Sequence, residues 1–401
     1  LSTSDTVSGS AQGSGYRAVL GTRHVARLLG GTLIGRLPTG MAPIAILLLV
    51  RAEDGSLALA GLLAALYGLA AAVGQPLLGR LVDRQGQTRV LIGAVTAATA
   101  AFLLLPCVSP ARHPVLAAMA VIVSGLSTPP LEAGLRALWP VLLPDPAQQR
   151  TALSLDSSTQ GLVFIVGPLL AAGCSAAIGP HTALVATAAL GLLGAGLVVS
   201  AGPSRSWVPA ARHPHWLGPL RVPGLRVLLA ALTGIGIALG AVNVLAIDAA
   251  ELHHAGWLTG AMPAALSIGS LLGGLLYGRR AWPGSPVAHL VTATAGFAAG
   301  WLPLLPGPAP AIAVVCAALP GLFLAPLLTA SFLTVDALAP EGETTEAFAW
   351  LIACVGVGQS AGTALASVLT TAGPLACAAI PLGGAVAALV LLHRFRRQLT
   401  F

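Results

Sequence analysis

The sequence predicts an all-α integral membrane protein, with twelve transmembrane helices arranged as two six-helix halves. Three observations lead there. Of its 401 residues, 56% are hydrophobic and only 8% are charged, against about 25% charged in soluble domains. A soluble chain of this length would divide into two or three domains, each needing a charged outer surface that this composition does not provide. The apolar residues fall in runs of about 20, the length that crosses a hydrocarbon layer of about 30 Å at about 1.5 Å per residue. The basic residues, finally, gather in alternate loops between the runs.

The runs lie near 28–50, 56–79, 89–108, 115–138, 151–175 and 181–201, then 225–247, 255–277, 286–306, 309–335, 347–372 and 375–393. We number them spans 1 to 12. They divide the chain into an N-terminal tail (1–27), a first half (28–201), a linker (202–224), a second half (225–393) and a basic tail (394–401). The linker is rich in proline, arginine and tryptophan and is expected to lie along the inner headgroup surface. A shift of 196 residues puts Gly125, Pro130, Leu131 and Pro144 onto Gly321, Pro326, Leu327 and Pro340. These coincidences fall at equivalent places in a six-plus-six pattern, as in transporters built from related halves around a midplane site.

The formal net charge is +7, and all 20 basic residues are arginines. With the N-terminus inside, 17 of them fall in inner segments, while the outer loops hold only Arg51 and Arg112 and span 1 holds Arg36. Positive residues in short loops favour the cytoplasmic side. The expected location is therefore the inner (plasma) membrane, crossed many times, with both termini cytoplasmic. Scattered in this way, the arginines form no stripe that would suit a nucleic acid. The five cysteines lie in apolar runs without a C-x-x-C pair or a histidine at ligand spacing, so they read as small buried hydrophobes and no metal is expected. The first 22 or so residues are polar, and we read no cleavable signal peptide there; the first span would direct insertion.

The segment between spans 2 and 3 reads 79-GRLVDRQGQTRVL-91. Gly79 and Gly86 allow close helix approach and a tight turn, Asp83 can accept from backbone N–H groups, and Arg84 and Arg89 face the cytoplasm and anionic lipid. Together Gly79, Leu81, Asp83, Arg84, Gly86 and Arg89 resemble the signature loop of the major facilitator superfamily. That resemblance implies the twelve-helix fold and a gating role, since in that family the loop helps latch the halves in the outward-open state. Gln87 and Thr88 stand where basic residues are common. The equivalent loop of the second half, 274-GLLYGRRAWPG-284, keeps glycines and the Arg279–Arg280 pair but has no aspartate.

Span 5 carries 161-GLVFIVGPLLAAG-173, whose Gly167–Pro168 core resembles the kink motif of drug/proton antiporters, although Val163 occupies a glycine position. A Gly-Pro pair bends a helix cheaply, and equally it can serve packing alone. The arginine that antiporters carry deep within span 4 is not recognised: Glu132 and Arg136 are placed near that span's cytoplasmic end, after Pro129–Pro130.

Charges within the hydrocarbon layer are costly unless paired or hydrated, which makes each a functional candidate. Arg36 lies in span 1 beside Pro38, where it either holds an anionic or proton-accepting partner or snorkels to the inner interface. Asp156 and Gln160 are four residues apart in span 5 and share a face. Asp156 and Arg36 are expected to pair or share a polar pocket, unless span 5 starts late and leaves Asp156 in water. Asn243 in span 7 and Gln359 in span 11 are candidate cavity-lining groups, or helix-to-helix hydrogen-bonding ones. Asp248, Glu251, His253 and His254 read as an outer loop. Asp336, Glu341, Glu343 and Glu346 read as an inner acidic stretch that pairs with Arg279 or Arg280 when the inner gate closes.

No G-x-x-x-x-G-K-[ST] loop and no H-E-x-x-H is present, so neither nucleotide-driven transport nor metal-dependent catalysis is expected, and no cofactor. The expected function is secondary transport by a monomer through alternating access. Its partners are a small-molecule substrate, the bilayer and a coupling proton. A mostly apolar lining favours export of a small amphipathic compound. Uptake of a small anion through Arg36, or a non-transporting sensor with the same fold, are the competing readings.

Overall fold

The computed structural model describes residues 16–207, 217–279, 282–369 and 374–399. Among them, twelve helical segments are long and apolar enough to cross a membrane. In the first half these are Val25–Ala52, Leu57–Gln85, Gln87–Val108, the pair Pro114–Leu126 and Leu131–Leu142, Pro146–Ala177 and Pro180–Val199. The second half contains Pro223–Leu252, Leu258–Arg279, Pro286–Trp301 with a short 3-10 turn at Leu302–Leu304, Pro310–Leu338, Thr344–Leu369 and Pro374–Arg394.

Among the described residues, span 4 is the one segment split into two α-helices. Pro129 and Pro130 remove two successive N–H donors, and their rings exclude the preceding turn from continuing. The first piece closes with Ser127 N–H donating to the Val123 carbonyl and Thr128 N–H to that of Gly125. Gln75 of span 2 donates to the half-buried Thr128 carbonyl at 3.2 Å. Isolated prolines elsewhere, such as Pro76, Pro168 and Pro326, are carried inside continuous helices.

Several boundaries differ from the sequence expectation, and those of spans 5 and 7 move charged residues. Span 5 begins at Pro146, capped by the Asp145 side chain accepting from Ala147 N–H at 2.9 Å, so Asp156 lies three turns inside it. Span 7 runs to Leu252, which puts Asp248 and Glu251 on the last turns of a helix rather than in a loop.

The two halves repeat the same helix contacts. Span 1 meets span 6 at Gly31, Gly35 and Gly194, and span 7 meets span 12 at Gly234 and Gly384. Span 1 meets span 5 at Gly40 and Gly167, and span 7 meets span 11 at Gly236 and Gly358. Span 2 meets span 4 at Gly74 and Gly125, and span 8 meets span 10 at Gly269 and Gly321. At each crossing a Cβ would press on the backbone of the facing helix, so only glycine allows the approach. Lipid supplies no hydrophobic drive for helix association, and such close backbone contact is what replaces it.

Between the halves, spans 2 and 11, 5 and 8, and 5 and 10 are in contact. The following hydrogen bonds that join them lie on the side bearing the arginine-rich loops. Thr151 donates to the Gly278 carbonyl at 3.1 Å, Ser154 to that of Gly274, and Thr329 to the Ser157 hydroxyl at 3.2 Å. Tyr16, ahead of span 1, donates to the Leu275 carbonyl at 2.8 Å.

Candidate functional site

Four charged side chains from three spans converge inside the first half. Arg36 Nη2 lies 2.7 Å from Glu132 Oε2, and its Nη1 lies 3.8 Å from Asp156 Oδ1. Arg136 donates through Nε to Asp156 Oδ2 at 2.8 Å and through Nη2 to Glu132 Oε1. Each arginine thus meets both carboxylates, and the tetrad carries no net charge. All four are buried or nearly so: Arg136 is 1%, Asp156 2% and Glu132 6% exposed. An unpaired ion at this depth would cost several kcal/mol, a penalty that mutual pairing largely offsets.

The break in span 4 builds this arrangement. Because a new helix starts at Leu131, Glu132 sits in its first turn, where the helix dipole favours a carboxylate, and Arg136 follows four residues later on the same face. The helix continues to Leu142, so Arg136 is interior rather than at the inner end of the span. Two sequence expectations are corrected here. Glu132 and Arg136 are not groups at the cytoplasmic end of span 4, and Arg136 is not one of the loop arginines. An arginine buried in span 4 is therefore present. The pairing expected between Arg36 and Asp156 exists, but it is the loosest of the four contacts. The missed signal was the E-x-x-x-R spacing directly after a double proline. The remaining face of Arg136 lies against Phe332 of span 10, with the guanidinium carbon 3.5 Å from the ring centre.

The signature loop forms a second site where the halves meet. Asp83, only 2% exposed, accepts from Thr345 N–H at 3.2 Å and Glu346 N–H at 2.8 Å. It therefore caps the N-terminus of span 11 from the opposite half, supplying acceptors and charge where a helix start has free donors. Arg80 grips Glu346 with two bonds, Nε to Oε2 at 2.9 Å and Nη2 to Oε1 at 2.7 Å. Such forked pairing is directional and stronger than a single contact. A Cβ on Gly79 would lie 2.9 Å from the Ala349 Cβ and 3.1 Å from the Glu346 Cα, so glycine is what lets spans 2 and 11 close. Gly86, at φ +90°, makes the turn into span 3. Leu81, Arg84 and Arg89 are exposed.

Arg80 occupies a variable position of the motif and was not singled out from the sequence, although it makes a two-bonded ion pair across the halves. The acidic stretch also pairs otherwise than expected: Glu346 with Arg80, and Glu343 with Arg221 at 3.3 Å. The reason is chain order around the seam, since span 11 opens against span 2 and the linker, not against the 8–9 loop. Arg280 lies outside the described residues, and Asp336 belongs to the span 10 helix.

The other candidates do not join the tetrad. Gln160 is half-buried, and its Oε1 finds no hydrogen-bond donor among the described residues. Asn243 is exposed, and Gln359 is half-buried with its backbone against Gly240. Gly167 packs on Gly40, and Pro168 sits in an unbroken helix, so this pair serves a close crossing of spans 1 and 5. No group of three or more His, Cys, Asp or Glu among the described residues is placed to hold a metal.

A sequence-family model described as the Major Facilitator Superfamily matches residues 28–286. The chain belongs to this superfamily. The match runs from span 1 past the linker into the second half, and with it the protein is assigned to membrane transport as a multi-pass membrane protein. An uncharacterised transporter of the superfamily from Sinorhizobium fredii is 31% identical over 177 residues, a stretch that spans 43% of each chain. The matched part is thus less than half of that relative's length. Among solved structures, the human organic anion transporter MFSD10 (TETRAN) shares 18% identity at a TM-score of 0.68, over 92% of this chain and 99% of that one. A bacterial homologue of the iron transporter ferroportin in its outward-facing state gives 15% and 0.74, over 94% and 100%. The superfamily transporter FucP in its outward conformation gives 16% and 0.69, over 93% and 98%. At such identities the likeness is one of fold.

Proposed function

We propose that this superfamily member is a secondary active transporter that exports a small amphipathic compound by alternating access. The arginine-rich face lies in the cytoplasm in this reading, and the conformation described is outward-facing. The observation that carries the reading is the latch: Asp83 and Arg80 of the first half hold the start of span 11 in the second half, closing the arginine-rich side. Contacts of this kind must break and reform if the two halves rock about a midplane site.

The tetrad favours an amphipathic substrate over an anion. Arg36 is already neutralised by Glu132 and Asp156, so it offers no free positive charge to an incoming anion. Proton coupling is assigned to the same tetrad. A proton on Glu132 or Asp156 would leave net positive charge in a buried site, which is unfavourable while the tetrad stays dry. Uptake of the proton therefore belongs to a state in which these groups meet water.

The test is flux in proteoliposomes loaded with a panel of amphipathic amines, neutral amphiphiles and small organic anions, with and without a pH gradient. Export of an amphipathic compound that accelerates when protons run down their gradient in the opposite direction, and no movement of anions, is the expected result. Anion uptake would reverse the substrate assignment. Binding without flux for every compound would point to a sensor.

A further inference from the structure

We propose that Phe332 is a positioning residue that ties the buried charge tetrad to closure of the arginine-rich face. Its ring caps the Arg136 guanidinium only while that face is shut. This inference rests on the alternating-access reading.

Three observations converge on it. Arg136 spends Nε and Nη2 on Asp156 and Glu132, while its Nη1 finds no acceptor among the described residues. The side chain is fully shielded, and the Phe332 ring of the other half lies over it, 3.5 Å from the guanidinium carbon. A cation held over an aromatic face in a dry site is favoured enough to shift a two-state equilibrium by roughly tenfold or more. Phe332, itself fully buried, packs edge-on against Phe348 with ring centres 6.2 Å apart. Phe348 lies in the first turns of span 11, the helix whose Glu346 Arg80 holds, so the ring pair joins the tetrad to the element that carries the latch.

The repeat gives the contact its place. The 196-residue shift that carries Gly125 onto Gly321 and Pro130 onto Pro326 also carries Arg136 onto Phe332. Two equivalent residues of related halves touch one another only close to the axis that relates the halves. A motion that parts the halves on this face therefore separates Arg136 from Phe332 directly. Once uncapped, the guanidinium and its carboxylate partners become open to water. The charged groups facing Arg136 are Glu132 and Asp156, with Arg36 beyond them. The equivalent positions of Glu132 and Arg136 in the second half are Leu328 and Phe332, so that half offers an apolar lid rather than a second charge cluster.

The experiment uses the full chain in lipid nanodiscs, with its five native cysteines replaced and Ser157→Cys as the reporter. Ser157 is buried beneath the seam, facing Thr329, and its labelling by a hydrophilic maleimide reports opening. Phe332→Leu is expected to raise the labelling rate about tenfold, and Phe332→Tyr to leave it within about threefold. Pentafluorophenylalanine at position 332 keeps the ring's shape but removes the attraction of its face for a cation, so it should behave like Phe332→Leu. This also keeps the test decisive if the leucine variant folds poorly. Arg80→Ala is the control for the gate itself. If Arg80→Ala raises labelling but neither Phe332→Leu nor the fluorinated ring does, the inference falls and alternating access stands. If leucine, tyrosine and the fluorinated ring all raise it equally, the ring is mere packing and the inference falls. If no variant changes labelling, both readings fall.

Discussion

At the scale of single residues, the tetrad shows why buried charges must be counted as sets. Removing one member leaves an uncompensated ion, which typically costs about 3–5 kcal/mol, whereas replacing a whole pair by apolar groups is often neutral. Arg36→Met alone should therefore lower thermal stability in detergent by several degrees. Arg36→Met with Glu132→Met still leaves Arg136 paired with Asp156 at 2.8 Å and should recover most of that loss. Thermal unfolding followed by fluorescence size-exclusion checks both; a double variant no better than the single would show that the pair is not a unit. Arg36 and Asp156 were legible in the sequence because each interrupts an apolar run. Glu132 and Arg136 were not, because the apolar run ends near 138 whereas the helix that follows the double proline continues to Leu142 and carries both inside it. Asp83 was legible through its motif, but Arg80 was not, since its meaning depends on Glu346, 266 residues away.

At the scale of elements, the contrast between spans 4 and 10 is instructive. They are repeat equivalents, yet span 4 is two helices and span 10 is one, because Pro129–Pro130 deletes two donors where Pro326 deletes one. Replacing both Pro129 and Pro130 by Ala should allow span 4 to continue as a helix. That would turn Glu132 and Arg136 away from Arg36 and Asp156, since each added helical residue rotates the downstream side chains by about 100°. The expected outcome is a loss of thermal stability comparable to breaking the tetrad, together with loss of transport. Pro326→Ala restores a donor to an already continuous helix and should be neutral or slightly stabilising. Equal effects in the two spans, measured by the same unfolding assay, would count against this account. Helix number and most boundaries were readable from length and hydropathy alone. The break was not, because a double proline inside an apolar run looks like any other kink until its carbonyls are seen to find other partners.

At the scale of the whole molecule, stability of one conformation is set by the few groups that cross between halves, and the latch is the most concentrated of these. Asp83 supplies a helix cap, and an aspartate cap lost to alanine costs about 0.5–2 kcal/mol. The Arg80–Glu346 fork is only partly shielded, with Arg80 27% exposed in its side chain, so solvent screening keeps its share to about 1 kcal/mol. Together they bias the equilibrium by roughly tenfold to a hundredfold, since about 1.4 kcal/mol corresponds to a factor of ten. Asp83→Ala combined with Arg80→Ala should therefore convert a predominantly closed arginine-rich face into a mixture. Spin labels on exposed Arg84 and exposed Glu341, read by pulsed dipolar spectroscopy, should show a second, longer distance in the double variant and a minor one in each single. Asp83→Asn keeps an acceptor for one N–H but loses the charge at the helix start, so its shift should fall between wild type and Asp83→Ala. If the distance distribution stays single and unchanged in the double variant, closure is held by the seam of spans 5, 8 and 10 with its hydrogen bonds from Thr151, Ser154 and Thr329, and the signature loop has some other task.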